Sequence, residues 1–333
     1  MSQDSSQTPV PSVDEVATYE PPTTITHHFV VEAECDGWRL DRFLAKRIPR
    51  LSRVRLQRVI RGECWLDERP CRPSSPVLPG QTVRIVRPAP IEPDVPRSLP
   101  VLFKDDSFYV LDKPAGIAMH PTAKFHYATV TAVMRERFPD EHLEICHRLD
   151  LETSGCLVVA RTREATIALK NSFARREVDK RYLAICKWPA ELAEEGVVEL
   201  PLNIEIGGIT RVRMAVTALE EGGLPSVTRY RVLERRGELA LVECAPETGR
   251  QHQIRVHMTA VGAPLVGDKL YPDPQIFADY QEYGWEAVED RVPLRRHALH
   301  AAFIRIPHPT TGEPVEVRSP LPADLQGYLD RST

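Results

Sequence analysis

Apolar side chains recur at helical spacing in two consecutive stretches near the N-terminus: Leu40, Phe43, Leu44 and Ile48, then Leu56, Val59 and Ile60. Each set falls on one face, which predicts two amphipathic helices. Pro49 closes the first, Ser52 is a good N-cap for the second, and Gly62 is its expected stop. A strand-like run, His28-Phe29-Val30-Val31, precedes them. Short strands at Cys64-Trp65-Leu66 and Val83-Arg84-Ile85-Val86 follow, separated by a turn at Pro79-Gly80. The pattern makes a small α+β domain over 27–87.

From Arg87 to Pro100 the pattern disappears into five prolines in fourteen residues, which predicts a stiff, extended linker over 88–100. Beyond it, strands are expected at 101–103, 108–111, 156–160, 182–186, 228–233 and 239–244, and helices at about 129–138, 164–174 and 251–261. Gly207-Gly208 and Gly222-Gly223 are hairpin signals that favour antiparallel pairing. The expectation for 101–326 is an α+β domain with a mixed, mostly antiparallel sheet. Segment 272–296 has little periodicity and reads as a surface loop.

Composition changes this picture in two places. Net charge is −4, but residues 1–36 hold seven acids and no Lys or Arg, whereas 38–62 hold nine cations against the single acid Asp41. Residues 1–26, rich in Ser, Thr, Pro and acid, read as a disordered acidic tail. The basic stretch reads as a phosphate-binding face, since local density rather than total charge sets phosphate attraction. Seven scattered cysteines form no C-x-x-C pair, and no apolar run could span a bilayer. A reducing, cytoplasmic setting without zinc is the expectation.

The chemistry centres on His147-Arg148-Leu149-Asp150-Leu151-Glu152-Thr153-Ser154-Gly155, an acid at a tight bend leading into the apolar run Cys156–Ala160. Upstream lie Leu111-Asp112-Lys113-Pro114-Ala115-Gly116 and Met119-His120-Pro121. Downstream come Val178-Asp179-Lys180-Arg181-Tyr182-Leu183-Ala184 and the run Thr248-Gly249-Arg250-Gln251-His252-Gln253-Ile254-Arg255-Val256-His257. These blocks, in this order, resemble the RluA-type family of RNA pseudouridine synthases, from about Val101 to Leu325. The N-terminal block, with Arg39-Leu40-Asp41-Arg42-Phe43-Leu44 as its opening helix, resembles the S4 RNA-binding domain.

The resemblance implies a cofactor-independent, metal-free isomerase that flips uridines out of RNA, with Asp150 as the catalytic carboxylate. Tyr182 is implied as the active-site tyrosine, offering a stacking face and a phenolic proton. Arg255 is implied as the counter-ion of Asp150. The sequence agrees in outline, because Ile254, Met258 and Val261 form an inward helical stripe with Arg255 beside it, and a bidentate Arg255–Asp150 pair is expected. Arg148 resembles the arginine that fills the space left by the flipped base. His120, Lys113 and the arginines at 39, 42, 53, 58 and 61 complete the expected RNA contacts. Ribosomal RNA of the large subunit is the first expected partner and transfer RNA the second, with no membrane partner and a monomeric chain. One departure, Leu151-Glu152 where a basic then an acidic residue is common, bears on subfamily and hence substrate.

Other readings fit less well. His-Arg-Leu-Asp lacks the spacing and companion motifs of a kinase loop, and no P-loop or dinucleotide fingerprint occurs. His142/His147 and His252/His257 are each five apart, unlike a zinc-binding His-Glu-x-x-His. The serious rival is a non-catalytic RNA-binding protein built on the S4-like block. Such a binder has no need of Asp150, Tyr182 and Arg255 together.

Overall fold

A computed structural model of the chain describes residues 20–49, 51–122, 125–210 and 212–332, which divide into two compact units at Ile91/Glu92. The expected acidic tail falls mostly on residues outside the described set. What is described of it is already ordered by Thr24, where the first strand begins.

The N-terminal unit comprises β1 (Thr24–Val30), α1 (Leu40–Arg47), α2 (Arg53–Glu63), β2 (Cys64–Leu66), β3 (Arg69–Pro70) and β4 (Thr82–Pro88). Its antiparallel sheet runs β1-β4-β2-β3. The helical stripes behave as expected: Leu40, Phe43, Leu44, Leu56 and Ile60 are buried together with Val83 and Ile85 of the sheet. Ser52 caps α2 by accepting from Arg55 N, and the helix runs one residue past the expected stop at Gly62.

The larger unit opens with β5 (Val101–Lys104), β6 (Phe108–Lys113), α3 (Val130–Arg137), β7 (Glu144–Ile145), β8 (Ser154–Ala160), α4 (Arg163–Ala174) and β9 (Asp179–Lys187). It continues through β10 (Glu195–Val198), β11 (Leu202–Ile204), β12 (Met214–Val216), β13 (Thr228–Arg236), β14 (Leu239–Pro246) and α5 (Gln253–Ala260). The last elements are α6 (Pro274–Tyr283), β15 (Leu299–Pro307), β16 (Pro314–Arg318) and α7 (Ala323–Arg331). Eight strands run in the order β10-β13-β14-β9-β15-β8-β6-β5, with β16 added to β15 and β7 to β8. Every pairing is antiparallel except β15–β8. The sheet is therefore mixed and mostly antiparallel, as expected.

β8 is buried along its whole length, so its run of apolar residues reflects cover on both faces. Leu157 and Val159 pack with Val130, Val133 and Met134 of α3. Cys156, Val158 and Ala160 face the other way, toward Ala165 and Leu169 of α4. At the far end of the sheet Ile254 and Met258 of α5 cover Ala184 and Cys186, while Leu325 and Leu329 of α7 cover Ile185.

Three expectations are corrected. The Pro-rich segment is no free spacer: from Glu92 onward it straps onto the larger unit. Val95 and Leu99 are buried in the core, and the Glu92 carboxylate accepts from the backbone N–H groups of His126, Tyr127 and Ala128. Segment 272–296 contains α6, whose Pro at N1 and Asp273 cap are helix-start signals masked by weak periodicity. Gly207-Gly208 does lie between paired strands, β11 and β12, but Gly222-Gly223 closes a 3-10 turn instead. There a Cβ on Gly223 would lie 2.0 Å from the Thr217 carbonyl oxygen.

Candidate active site

The register of three strands assembles the site. In β15, Ala301 stands opposite Gly155 of β8 on one side and Tyr182 of β9 on the other. The parallel approach leaves no room at Gly155, where an added Cβ would lie 2.3 Å from the Ala301 carbonyl oxygen and φ is +108°. Tyr182 thus lies two strands from the start of β8, and the turn before β8 delivers Asp150 to the same end of the sheet. α5 supplies Arg255 from one face. Together they line a cavity of about 460 Å³, within the roughly 300–1,000 Å³ typical of small-ligand sites.

The turn that carries Asp150 is held by buried cations. Lys113 is fully buried, and its ammonium donates to the carbonyls of Pro114 (2.9 Å), Leu151 (3.1 Å) and Thr153 (2.8 Å). Arg296 reaches the Glu152 carbonyl at 3.3 Å and is itself gripped by Asp324. The Glu152 carboxylate pairs with Lys269 at 2.7 Å and His297 at 3.3 Å. Burial opposes the charge on Glu152, but His297 and Lys269 outweigh it and hold the carboxyl down at about 2. Thr153 Oγ1 is 2.8 Å from His297 Nε2, and Gly116 N donates to the Leu151 carbonyl. Glu152, the acid of this pair, is therefore a structural anchor, whereas the departing residue, Leu151, exposes its side chain. Lys113, expected to touch RNA, has no surface with which to do so; its three protons pin the turn.

Asp150 lies 3.4 Å from Arg255 Nη1 and 3.9 Å from His252 Nε2. The expected bidentate pair is corrected. Arg255 spends its fork on Asp268, with Nε and Nη2 at 2.7 and 2.8 Å from the two carboxylate oxygens. Asp268 is fixed in turn by the N–H groups of Leu270 and Tyr271. Burial would raise the Asp150 pKa, yet the electrostatic influence of the neighbouring His252, Arg255, His297 and Arg148 holds it below its ordinary value. Of the two groups that touch it, burial pushes His252 down to about 4. Near neutral pH that ring is uncharged, and Arg255 keeps Asp150 ionised. Tyr182 is pushed well up by burial and then by the Asp150 charge, so its phenol stays protonated.

Arg148 is exposed and lines the cavity beside Asp150. His120 does not line it: it sits exposed near Thr131, with Nδ1 3.3 Å from that hydroxyl. His147 is partly buried in the cavity wall, stacked on Phe173 and accepting from Val158 N, and burial holds it down at about 3. Sequence reasoning missed His252 and Asp268 as site residues. His252 adopts a left-handed backbone (φ 55°) at the start of α5, which no spacing rule reveals. Asp268 is the one acid in a largely apolar loop, followed by Lys269, and that is its only signal.

In the N-terminal unit the basic face is smaller than the sequence count. Arg39 grips the buried Asp41 with two hydrogen bonds, and Arg53 lies 3.8 Å from it. Lys46 and Arg47 pair with Glu34 and Glu32. Arg42 stacks over Trp38 at 3.9 Å. Arg55, Arg58 and Arg61 are exposed on α2 and form no ion pair among the described residues. Among those residues no helix is long and apolar enough to cross a membrane.

An ionised carboxylate on a rigid turn, beside a buried phenol and an arginine, suits chemistry on a sugar carbon and a base within one nucleotide-sized cavity. Comparison with known proteins agrees. Residues 107–260 match the family described as RNA pseudouridylate synthase. The chain is 36% identical over 93% of its length, and 93% of the relative's, to "Ribosomal large subunit pseudouridine synthase D" of Xanthomonas campestris pv. campestris. It is 36% identical to the protein of the same description in Nitrosomonas europaea, over 88% of this chain and 84% of that one. Among solved structures, "Human RNA Pseudouridylate Synthase Domain Containing 1" aligns with a TM-score of 0.55 and 30% identity, over 69% of this chain and 86% of the other. With its cavity, its Asp150 turn and these likenesses, the chain belongs to the RNA pseudouridylate synthase family and is an RNA pseudouridine synthase.

Proposed function

We propose that the protein converts uridines of large-subunit ribosomal RNA to pseudouridine, with Asp150 acting on the ribose of a flipped nucleotide. The ionised Asp150 beside Arg255 is the observation that carries this reading. The reaction breaks N1–C1′, joins C5 to C1′, releases the C5 proton and returns a proton to N1, so it consumes no redox equivalent and no energy source. The cavity is the size of one nucleotide rather than a duplex. The target must therefore leave its stack, which costs a few kcal/mol and is least costly in a loop or bulge. Arg148, exposed at the edge, occupies the vacated space. The Tyr182 ring faces the loosened uracil, and its proton serves exchange at C5.

The N-terminal unit holds RNA in this scheme as an S4-like module, through Arg55, Arg58 and Arg61, and fixes position without reading sequence. In this reading the protein acts as a monomer in the cytoplasm. The large-subunit target follows the descriptions of the relatives. Incubating unmodified large-subunit ribosomal RNA and unmodified transfer RNA with the protein, then mapping carbodiimide adducts of pseudouridine by primer extension, tests it. New stops in the ribosomal RNA alone support the reading. Stops confined to transfer RNA replace the substrate, and none in either removes it.

A further inference from the structure

One wall of the cavity carries positive charge that the chemistry at Asp150 does not use. Lys180 of β9 lines it, and so do Arg176, just past α4, and Arg250, just before α5. Among the described residues the Lys180 ammonium has one acceptor, the Thr248 carbonyl at a long 3.5 Å. It sits over Gly249, where an added Cβ would be 3.9 Å from it. Arg250 Nε is buried and has no hydrogen-bond partner among the described residues. The loop that presents Arg250 is rigid: Gln253 accepts from Arg250 N and from Thr248 Oγ1, and donates to Val227 O and Thr228 Oγ1. Arg176 takes a left-handed backbone (φ 62°) and is exposed toward the cavity.

Among the described residues no carboxylate forms an ion pair with these three cations; Asp179, next to Lys180 in the chain, favours its charge but pairs with Arg181 at 3.3 Å. Of the two carboxylates lining the cavity, Asp150 faces Arg255 and Glu247 is bound to Arg229 at 2.6 Å. Burial and then Arg176 disfavour the charge on Lys180, so like charges are gathered where an anion would relieve them. An ammonium and a guanidinium short of acceptors cost free energy when left unmatched.

Resting on the isomerase reading, we propose that Lys180, Arg250 and Arg176 form an anion subsite that takes a backbone phosphate of the RNA next to the nucleotide presented to Asp150. A phosphodiester matches this set: it is monoanionic, offers oxygens to both a point-charge ammonium and a guanidinium fork, and adjoins every flipped nucleotide. The subsite would fix the sugar over the carboxylate by holding the chain beside it.

The test uses full-length protein carrying Asp150→Ala, so that binding is measured without turnover, with unmodified large-subunit ribosomal RNA transcript as the probe. Dissociation constants are taken across a KCl series for this background and for the added changes Lys180→Gln, Arg250→Gln and Lys180→Arg. Loss of a phosphate contact lowers the slope of log K against log salt by about 0.7–0.9 per cation. It should also weaken binding about tenfold. Both effects are expected for the two glutamine variants, while Lys180→Arg keeps the parental slope. An unchanged slope in Lys180→Gln and in Arg250→Gln overturns the subsite. So does a slope that falls equally in Lys180→Arg, which would mark disturbed folding rather than lost charge. Tritium release from C5-labelled transcript by the protein with Asp150 intact is run alongside. Its failure removes the isomerase reading on this RNA, whereas release with unchanged slopes removes the subsite alone.

Discussion

Arg255 gives both arms of its fork to Asp268 and only one N–H, at 3.4 Å, to Asp150. Asp268 thus sets the guanidinium's position and keeps Asp150 charged without locking it in a bidentate pair, leaving its oxygens available to substrate. Two substitutions separate these effects by sign. Arg255→Gln removes the countercharge, so burial dominates and the Asp150 pKa rises. The acid limb of the pH–rate profile should then move up, with the plateau falling at least roughly 100-fold. Asp268→Asn leaves Arg255 to Asp150 alone, so the limb should stay put or move down while the rate falls. Limbs moving the same way in both variants would count against this division of labour.

Lys113 ties the Asp150 turn from below. Lys113→Met removes a donor from three carbonyls, of which that of Leu151 keeps Gly116 N–H, and should cost about 3 kcal/mol or more in urea unfolding. Burial pushes the amine down to about 7 from 10.5. Between those values the folded state binds fewer protons than the unfolded chain, so native stability rises with pH there. The gap between wild type and Lys113→Met should accordingly widen from pH 6 to pH 9. A constant gap would mean that the amine stays charged throughout.

Glu152 shows the same direction of pH dependence in a more acidic window. Its folded value of about 2 lies below the ordinary 4.5, so it contributes stability that is complete above about pH 5 and is lost as pH falls toward 2. Glu152→Gln should cost about 3 kcal/mol at pH 7, and the deficit should shrink as unfolding is measured at pH 5 and then pH 4.

In the N-terminal unit, changing Arg55, Arg58 and Arg61 together to Gln should weaken RNA binding and flatten its salt dependence by about two slope units. Arg47→Gln, which removes a cation already paired with Glu32, should leave the slope nearly unchanged. Equal effects from both would mean that the face is read correctly only as a sum of charges.

The sequence carried the fold where side-chain periodicity carries it. The stripes at Leu40–Ile60 and at Ile254–Met258 became buried faces, and the apolar run after Gly155 became the central strand β8. Legibility ended where one element is defined by its neighbours. β15 joins Gly155 to Tyr182 across Ala301, yet its own residues, from Leu299 to Pro307, carry no turn signal or alternation to mark it. Asp150, Tyr182, Arg255 and Arg148 do meet at one cavity. Lys113 was misassigned because a lysine in sequence reads as surface, and only the structure supplies three carbonyls in place of water. Asp268, 13 residues from Arg255 in the chain, is brought back by a loop whose Gly267 admits no Cβ against the Arg296 carbonyl.

In the proposed function the ionised Asp150 performs the chemistry. Tritium release from C5-labelled large-subunit ribosomal RNA, measured for wild type and Asp150→Ala alongside RNA affinity, tests it most directly. The account predicts release by wild type, none above background by the variant, and affinities within about threefold of each other. Release by Asp150→Ala at a rate near that of wild type would contradict it.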